Sequence, residues 1–135
     1  MSAQPIFERA AARAEEHHLG YAGAVTCDEA QQLASAGAAI IVDVRTRDEY
    51  DNVGHVEGTK LVPWRRDGEQ QPDPLFAERL REIYQPEATL LLICRSGVRS
   101  HYAAQVATEA GFARVYNVLD GFEQGWRPAG LPWVR

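Results

Sequence analysis

The sequence contains few cysteines, only Cys27 and Cys94 among 135 residues. Two cysteines are too few for a disulfide framework or for a zinc site. No apolar run approaches the roughly 20 residues that a membrane-spanning helix needs. The first segment also lacks the basic-then-apolar pattern of a secretory signal, because residues 10–16 are charged and alanine-rich. We therefore expect a cytoplasmic protein without a membrane partner.

The chain also has no excess of positive charge, since its formal net charge is −5 at pH 7. This balance argues against nucleic acid as the main partner. Apolar residues make up 45% and charged residues 24% of the chain, which is typical of a globular domain. A chain of this length is expected to fold as one domain with a sizeable core.

The most informative stretch is residues 90–100, in which an apolar run ends at a cysteine. Residues 90–93 are too few for a stable helix of their own and predict a buried strand. A helical pattern of small apolar residues follows the loop after the cysteine. Cys94 is therefore predicted to lie between the end of a strand and the start of a helix. Free backbone N–H groups and the helix dipole make that position electropositive.

A cysteine at such a position has an unusual chemical environment. A free cysteine thiol has a pKa of about 8.5 and is mostly protonated at neutral pH. A helix N-terminus and nearby guanidinium groups stabilise the thiolate, which is the nucleophilic form. Arg95 and Arg99 supply two positive charges, and Gly97 allows a positive φ that lets successive N–H groups converge. We expect a cup of donors around the sulfur that holds an anion or an anionic extra sulfur.

The six residues from Cys94 to Arg99 resemble the active-site loop of the rhodanese family of sulfurtransferases, whose cysteine accepts a sulfane sulfur as a persulfide. Three other segments resemble the same family in their order and spacing. They are an early strand with acidic and basic residues at 41–45, a glycine–histidine stretch at 54–59, and a closing segment at 115–122 with Trp126. The resemblance covers residues 24–134.

The resemblance implies a sulfurtransferase in which Cys94 is the catalytic nucleophile. Thiosulfate or a persulfide would donate the sulfur, and a thiol, cyanide or a protein would accept it from the Cys94 persulfide. Arg95 and Arg99 are expected to hold the small anionic donor, and Arg99 also to fix the loop. No metal or organic cofactor is implied. The residues expected to bind the substrate are Arg95, Ser96, Gly97, Val98, Arg99 and Ser100.

The sequence departs from the family pattern at two positions. The closing segment of the family usually carries paired glycines, and Asp120 takes the first place here. The position before the cysteine is often tyrosine, and here it is Ile93. Neither residue is the nucleophile, so both bear on substrate preference rather than on the fold.

Two other functions fit the same scaffold. Phosphatases and arsenate reductases also place a cysteine and an arginine on an oxyanion-binding loop. Related phosphatases have a loop one residue longer, and a six-residue loop favours a single sulfur atom. The second alternative is a sulfur-relay or regulatory binding module of the same fold. Such modules often lack the cysteine, whereas this chain has both Cys94 and the loop arginines.

Four residues outside the loop are candidates for supporting roles. Asp43 ends an apolar strand, and open α/β sheets place their sites at the C-terminal ends of strands. We expect Asp43 to accept hydrogen bonds or to pair with an arginine, and Arg45 to brace it. His55 is interpreted as a structural residue of a tight turn, because a stabilised thiolate needs no general base. Cys27 is interpreted as a structural thiol.

Strand and helix patterns alternate along the chain. They predict an α/β, rhodanese-like three-layer domain with a mainly parallel five-stranded sheet flanked by helices. We divide the chain into an N-terminal helical extension, residues 1–20, and a rhodanese-like domain, residues 21–135. The helix at residues 5–18 is expected to pack over this domain, with docking of a partner as the alternative. Residues 64–74 predict a surface loop, in which Trp64 is a candidate contact for a substrate or partner.

Overall fold

The computed structural model describes residues 3–135, and within them the centre of the fold is a sheet of five strands. The strands are β1 Gly23–Val25, β2 Ile40–Asp43, β3 Lys60–Leu61, β4 Thr89–Ile93 and β5 Arg114–Val118. Every neighbouring pair in this sheet is parallel, and the spatial order is β1-β5-β4-β2-β3. The predicted α/β class with a parallel sheet is confirmed, and β4 is the central strand.

Helices cover both faces of this sheet and complete three layers. They are α1 Gln4–His17, α2 Cys27–Ser35, α3 Phe76–Ile83 and α4 Val98–Glu109, and two short π-helical turns lie at Glu49–Val53 and Phe122–Trp126. Helices α1 and α2 pack on one face with the second π-helical turn, and α3 and α4 pack on the other. No helix within residues 3–135 combines the length and apolar character needed to cross a bilayer.

Strand β4 is apolar throughout because it contacts a core on each face. Leu91 and Ile93 belong to the core beneath α1 and α2, whereas Leu90 and Leu92 belong to the core beneath α3 and α4. All four side chains are fully buried. A continuous apolar run is what a parallel strand covered on both faces requires. The position of Cys94, which follows this strand, is therefore fixed by packing on both faces of the sheet.

Helix α1 packs against its own domain. Ile6 and Ala10 are buried in the same core as residues of α2. The helix lies so close to β1 that a Cβ on Gly23 would be 2.5 Å from the Ala10 carbonyl oxygen. The expectation that this helix packs over the domain is confirmed, whereas the division of the chain after residue 20 stays a prediction.

Glu29 connects α1 to α2. It forms a capping box with Thr26, in which each side chain accepts a hydrogen bond from the other residue's backbone N–H. Its carboxylate also accepts hydrogen bonds from Arg9 and Arg13 of α1. Burial alone would raise the pKa of Glu29, but the bonds from Arg13, Thr26 and Arg9 lower it to about 2. Glu29 is therefore ionised at neutral pH and holds the two helices together.

The loop after β3 keeps its aromatic residue inside the protein. Trp64 is buried, and its ring meets Phe76 edge-to-face with 5.2 Å between the ring centroids. The backbone N–H of Asp73 donates to the Trp64 carbonyl over 2.7 Å and closes the loop, whose residues 66–72 are exposed. The surface loop is confirmed, but the ring of Trp64 belongs to the core, which argues against its candidate role as a contact for a substrate or partner.

Candidate active site

Cys94 follows the last residue of β4 at the edge where the parallel strands end. Asp43 at the end of β2 is in register with Ile93, and the Val44 N–H donates to the Ile93 carbonyl over 3.0 Å. Helix α4 begins at Val98, only four residues after the cysteine. The predicted position of Cys94, between a strand end and a helix N-terminus, is confirmed.

The loop curls back over the Cys94 sulfur at Gly97. The φ of Gly97 is +94°, and its backbone N–H donates to the Cys94 Sγ over 3.1 Å. Glycine adopts this left-handed conformation without the steric penalty of a side chain. Cys94 is 1% exposed. The sulfur therefore lies at the bottom of the loop, beside an N–H donor and a helix N-terminus that both favour its anionic form.

Asn117 of β5 forms hydrogen bonds to the loop. The sequence did not predict this role. Asn117 is buried, and its Nδ2 donates to the Gly97 carbonyl over 3.1 Å. Its Oδ1 therefore faces Ser100, whose hydroxyl donates to it. The same hydroxyl oxygen lies 3.2 Å from the Cys94 Sγ. Because a hydroxyl has one proton, Ser100 can donate fully either to Asn117 or to the sulfur, which couples the two groups.

Arg99 forms an ion pair that anchors the loop to the turn after β2. Its two terminal nitrogens donate to the two carboxylate oxygens of Glu49 over 2.6 and 2.8 Å. Glu49 also accepts a hydrogen bond from the Thr46 N–H. Burial alone would raise the pKa of Glu49, but the bonds from Arg99 and Thr46 lower it to about 2. Arg99 thus fixes the loop, as expected, whereas its contact with a donor stays a prediction.

Arg95, the other arginine of the loop, also has an acidic partner. Its Nε lies 2.6 Å from a Glu123 carboxylate oxygen, and the Glu123 N–H donates to the Arg95 carbonyl over 3.1 Å. These side chains are 64% and 31% exposed, so the pair lies at the surface. Val98 is exposed at the same end of α4, and Ser96 is half-buried. Their predicted roles in substrate binding stay predictions.

Asp43 and Arg45 form a fully buried ion pair beneath the loop. The Arg45 Nε and Nη2 donate to the two Asp43 oxygens over 3.0 and 2.7 Å, and Nη2 also donates to the Gly54 carbonyl. The guanidinium lies 4.4 Å from the centre of the Phe122 ring, and the Phe122 N–H donates to the Cys94 carbonyl over 2.7 Å. The expected pairing is confirmed, and it connects to the backbone of Cys94 through Phe122.

His55 and Cys27 take the structural positions expected for them. The His55 ring stacks on Tyr50 at 3.7 Å between centroids, and its Nδ1 lies 2.9 Å from the Tyr50 carbonyl oxygen. Its backbone pairs with Val134 in an isolated antiparallel bridge. The Cys27 thiol donates to the Gly121 carbonyl. Neither cysteine of the described chain forms a disulfide.

The fold and the loop together define a class of protein: a parallel α/β domain with a buried cysteine on a six-residue loop after its central strand. The family model described as the Rhodanese-like domain matches residues 26–127. The chain belongs to the rhodanese-like domain family, as the resemblance of its motifs predicts.

Relatives within this family include both named enzymes and uncharacterized proteins. The chain is 35% identical over 113 residues to an uncharacterized protein of Rickettsia conorii, covering 75% of this chain and 87% of the relative. It is 32% identical over 114 residues to thiosulfate sulfurtransferase 18 of Arabidopsis thaliana, covering 82% and 76%. The crystal structure of Rv0390 from M. tuberculosis matches with a TM-score of 0.74 and 36% identity, covering 84% and 97%.

Proposed function

We propose that this protein is a sulfurtransferase that carries a sulfane sulfur on Cys94. The donor is thiosulfate or a persulfide, and the acceptor is a thiol, cyanide or a protein thiol. The observation that carries the proposal is the hydrogen bond from the Gly97 N–H to the Cys94 Sγ at the N-terminus of α4. A sequence identity of 32% to a thiosulfate sulfurtransferase supports the same proposal.

Each half of the reaction is a displacement at sulfur. The Cys94 thiolate attacks the outer sulfur of thiosulfate, the sulfur–sulfur bond of the donor breaks, and sulfite leaves with the bonding electron pair. Cys94 then holds the sulfur as a persulfide. An acceptor thiolate or cyanide attacks that outer sulfur, the bond to Sγ breaks, and the Cys94 thiolate is restored. Atoms and charge balance in both halves without an external oxidant, as in ping-pong catalysis.

The surroundings of Cys94 suit both states of this cycle. An N–H donor and a helix N-terminus stabilise negative charge near the sulfur, whether it is a thiolate or a persulfide anion. The ion pair of Arg99 with Glu49 fixes the helical end of the loop. The Asp43–Arg45 pair and Phe122 hold the backbone of Cys94 from below. The nucleophile is therefore held in place before the donor arrives.

The test is intact mass spectrometry of the purified protein after incubation with thiosulfate and, separately, with a hydropersulfide. We expect the mass of one sulfur to be added, and cyanide or a thiol to remove it. Cys94→Ser should gain no sulfur, because a serine hydroxyl is not appreciably ionised at neutral pH. Cys27→Ser is the matched control and should be loaded like the wild type.

The outcomes separate the proposal from its alternatives. An adduct that persists in Cys94→Ser but disappears in Cys27→Ser would assign the nucleophile to the wrong cysteine. Absence of any adduct with both donors would contradict sulfur transfer. Release of phosphate from p-nitrophenyl phosphate by the same sample, lost in Cys94→Ser, would then identify the phosphatase-like alternative.

A further inference from the structure

The positive charge of the loop is offset by carboxylates that the loop itself does not contain. Arg99 is held by both oxygens of Glu49, and Arg95 lies 2.6 Å from Glu123. The two cations on which recognition of an anionic donor would depend are thus each matched by one negative charge. The Asp43–Arg45 pair below them adds no net charge.

The backbone of Asp120 lies beside the loop, whereas its carboxylate acts on Cys27, whose pKa is raised by burial and by this carboxylate. The backbone N of Asp120 would be 3.3 Å from a Cβ placed on Gly97. Asp120 is therefore close to the residue whose N–H donates a hydrogen bond to the Cys94 sulfur. The next residue, Gly121, packs so tightly that a Cβ there would be 2.4 Å from the Cys94 carbonyl oxygen. Asp120 itself is exposed. Glu49 and Glu123 together carry two negative charges, which balance the two positive charges of Arg95 and Arg99.

This arrangement treats the two classes of donor differently. Thiosulfate brings two negative charges to a nucleophile that is itself an anion. A hydropersulfide with an uncharged R group carries at most one negative charge, which it acquires more readily than a thiol because its S–H is more acidic. The protonated form, R–S–SH, which a thiolate can attack, is uncharged. Coulomb repulsion between groups a few ångströms apart is weakened by water but not abolished at a half-exposed site. Carboxylates beside the loop therefore penalise thiosulfate much more than a hydropersulfide with an uncharged R group.

We propose, on the basis of the sulfur transfer proposed above, that the donor of this protein is a hydropersulfide and that Glu123 sets this preference by masking the charge of Arg95. The Cys94 thiolate attacks the outer sulfur of R–S–SH and forms the Sγ–S bond. The S–S bond of the donor breaks, and R–S⁻ leaves with the electron pair. The proton remains on the outer sulfur or passes to the leaving thiolate. Glu123 acts through Arg95 and is a positioning residue.

Glu123→Gln is a clean variant for this test. The Arg95–Glu123 pair is exposed, and exposed ion pairs contribute little to stability. Glu49 is less suitable because it also accepts the Thr46 N–H bond. Glu109→Gln is the matched control, since it makes the same change in net charge at the opposite end of α4, about 16 Å along the helix from the loop. Glu123→Asp keeps the charge and serves as the rescue variant.

The measurement is the second-order rate constant for loading one sulfur onto Cys94, followed by intact mass under single-turnover conditions. The two donors are thiosulfate and the hydropersulfide of 2-mercaptoethanol, whose carrier is uncharged. We expect Glu123→Gln to load about threefold to tenfold faster than the wild type with thiosulfate. With the hydropersulfide, its rate should change less than twofold. Glu109→Gln should match the wild type with both donors, and Glu123→Asp should stay near it.

The intrinsic reactivity of the two donors differs, so the decisive quantity is the effect of each variant on each donor. Equal rates for Glu123→Gln and Glu109→Gln with thiosulfate would overturn the proposal. So would an equal change with both donors, because a structural disturbance would produce that pattern. A thiosulfate rate that collapses in Arg65→Ala and is unmoved in Glu123→Gln would place anion recognition in the loop after β3. Failure of both donors to load the wild type would instead contradict the sulfur transfer itself.

Discussion

The two cysteines of this chain are both buried, but their sulfur atoms have opposite hydrogen-bonding surroundings. Cys27 is 7% exposed and Cys94 is 1% exposed. The Cys27 Sγ donates toward two carbonyl oxygens, of Leu119 and Gly121, each at 3.4 Å. The Cys94 Sγ instead accepts the N–H of Gly97 at 3.1 Å. Carbonyl oxygens favour a thiol that keeps its proton, whereas an N–H donor favours the thiolate.

The charges around Cys27 add to this contrast. Burial, then the carboxylates of Asp120 and Asp28, raise the pKa of Cys27 from 9.0 to about 11. Cys27 is therefore a neutral thiol at physiological pH. The two cysteines thus differ in the polarity of the neighbouring backbone groups, whereas both are buried, and under the proposed function this polarity distinguishes the nucleophile from the structural thiol.

The largest disruption of both environments is expected from Gly121→Ala, because Gly121 lies between the two cysteines. Its carbonyl accepts the Cys27 thiol, and its φ is +64°. An added Cβ would be 2.4 Å from the Cys94 carbonyl oxygen and 2.7 Å from that of Arg95. Strain and overpacking together should lower the free energy of unfolding by about 3–5 kcal/mol, measured by urea denaturation.

Gly130→Ala separates the cost of the close contacts of an added Cβ from the cost of a positive φ in alanine. Gly130 has a similar φ of +76°, but apart from its own chain neighbours no atom of the described residues lies within 4 Å of the position that an added Cβ would take. Its cost should be about 1–2 kcal/mol, that of a left-handed alanine alone. Equal losses in the two variants would show that Gly121 does not press on the cysteine loop.

Asn117→Asp should reduce loading of Cys94 about tenfold at neutral pH. The new carboxylate loses the donor to the Gly97 carbonyl and places a negative charge beside Ser100, which disfavours negative charge on the nearby sulfur. The measurement is the loading rate followed by intact mass at neutral pH. A rate equal to that of the wild type would contradict a role of Asn117 in holding the loop.

Cys27→Ala should have a smaller effect, confined to stability. The loss of a buried, hydrogen-bonded thiol should cost about 1–2 kcal/mol of unfolding free energy, measured by denaturation. Sulfur loading by Cys94 should stay within twofold of the wild type. A tenfold loss of loading in Cys27→Ala would contradict the assignment of Cys27 as a structural thiol.

The smallest expected effect is a change with pH in the contribution of Cys27 to the free energy of unfolding. Its pKa is about 11 in the folded protein and 9.0 for an ordinary thiol, so the unfolded chain releases this proton first. The contribution is therefore complete below about pH 9 and is lost as the pH rises toward 11. The difference in unfolding free energy between the wild type and Cys27→Ala should narrow over this range. A difference that is constant from pH 8 to about 11 would contradict the raised pKa.

Much of the site could be predicted because it is local in sequence. The apolar run before Cys94 predicts the strand, and Gly97 predicts the left-handed turn that the structure contains. The acidic and basic residues at the end of β2 predict the Asp43–Arg45 pair. Each of these inferences needs only neighbours within a few residues, for which strand, turn and helix rules are sufficient.

The partners of the loop could not be predicted in the same way. Glu49 is 50 residues from Arg99, and Asn117 is 20 residues from Gly97. Only the order and register of the parallel strands bring these side chains to the loop. Asn117 did carry a signal, as a polar residue within the otherwise largely apolar β5. Glu123 carried none, since an acidic residue near the surface has no preferred partner in the sequence.

The central position of β4 has a consequence for how the site is assembled. β4 pairs with β2, which precedes it in the chain, and with β5, which follows it. Parallel pairing joins segments that are far apart in sequence, and such contacts form late in folding. The hydrogen bonds between Asn117 and the loop can therefore form only after β5 has paired with β4. We therefore expect the surroundings of the Cys94 sulfur to be completed late in folding, and the amide protons of β4 to exchange with solvent only when the sheet opens.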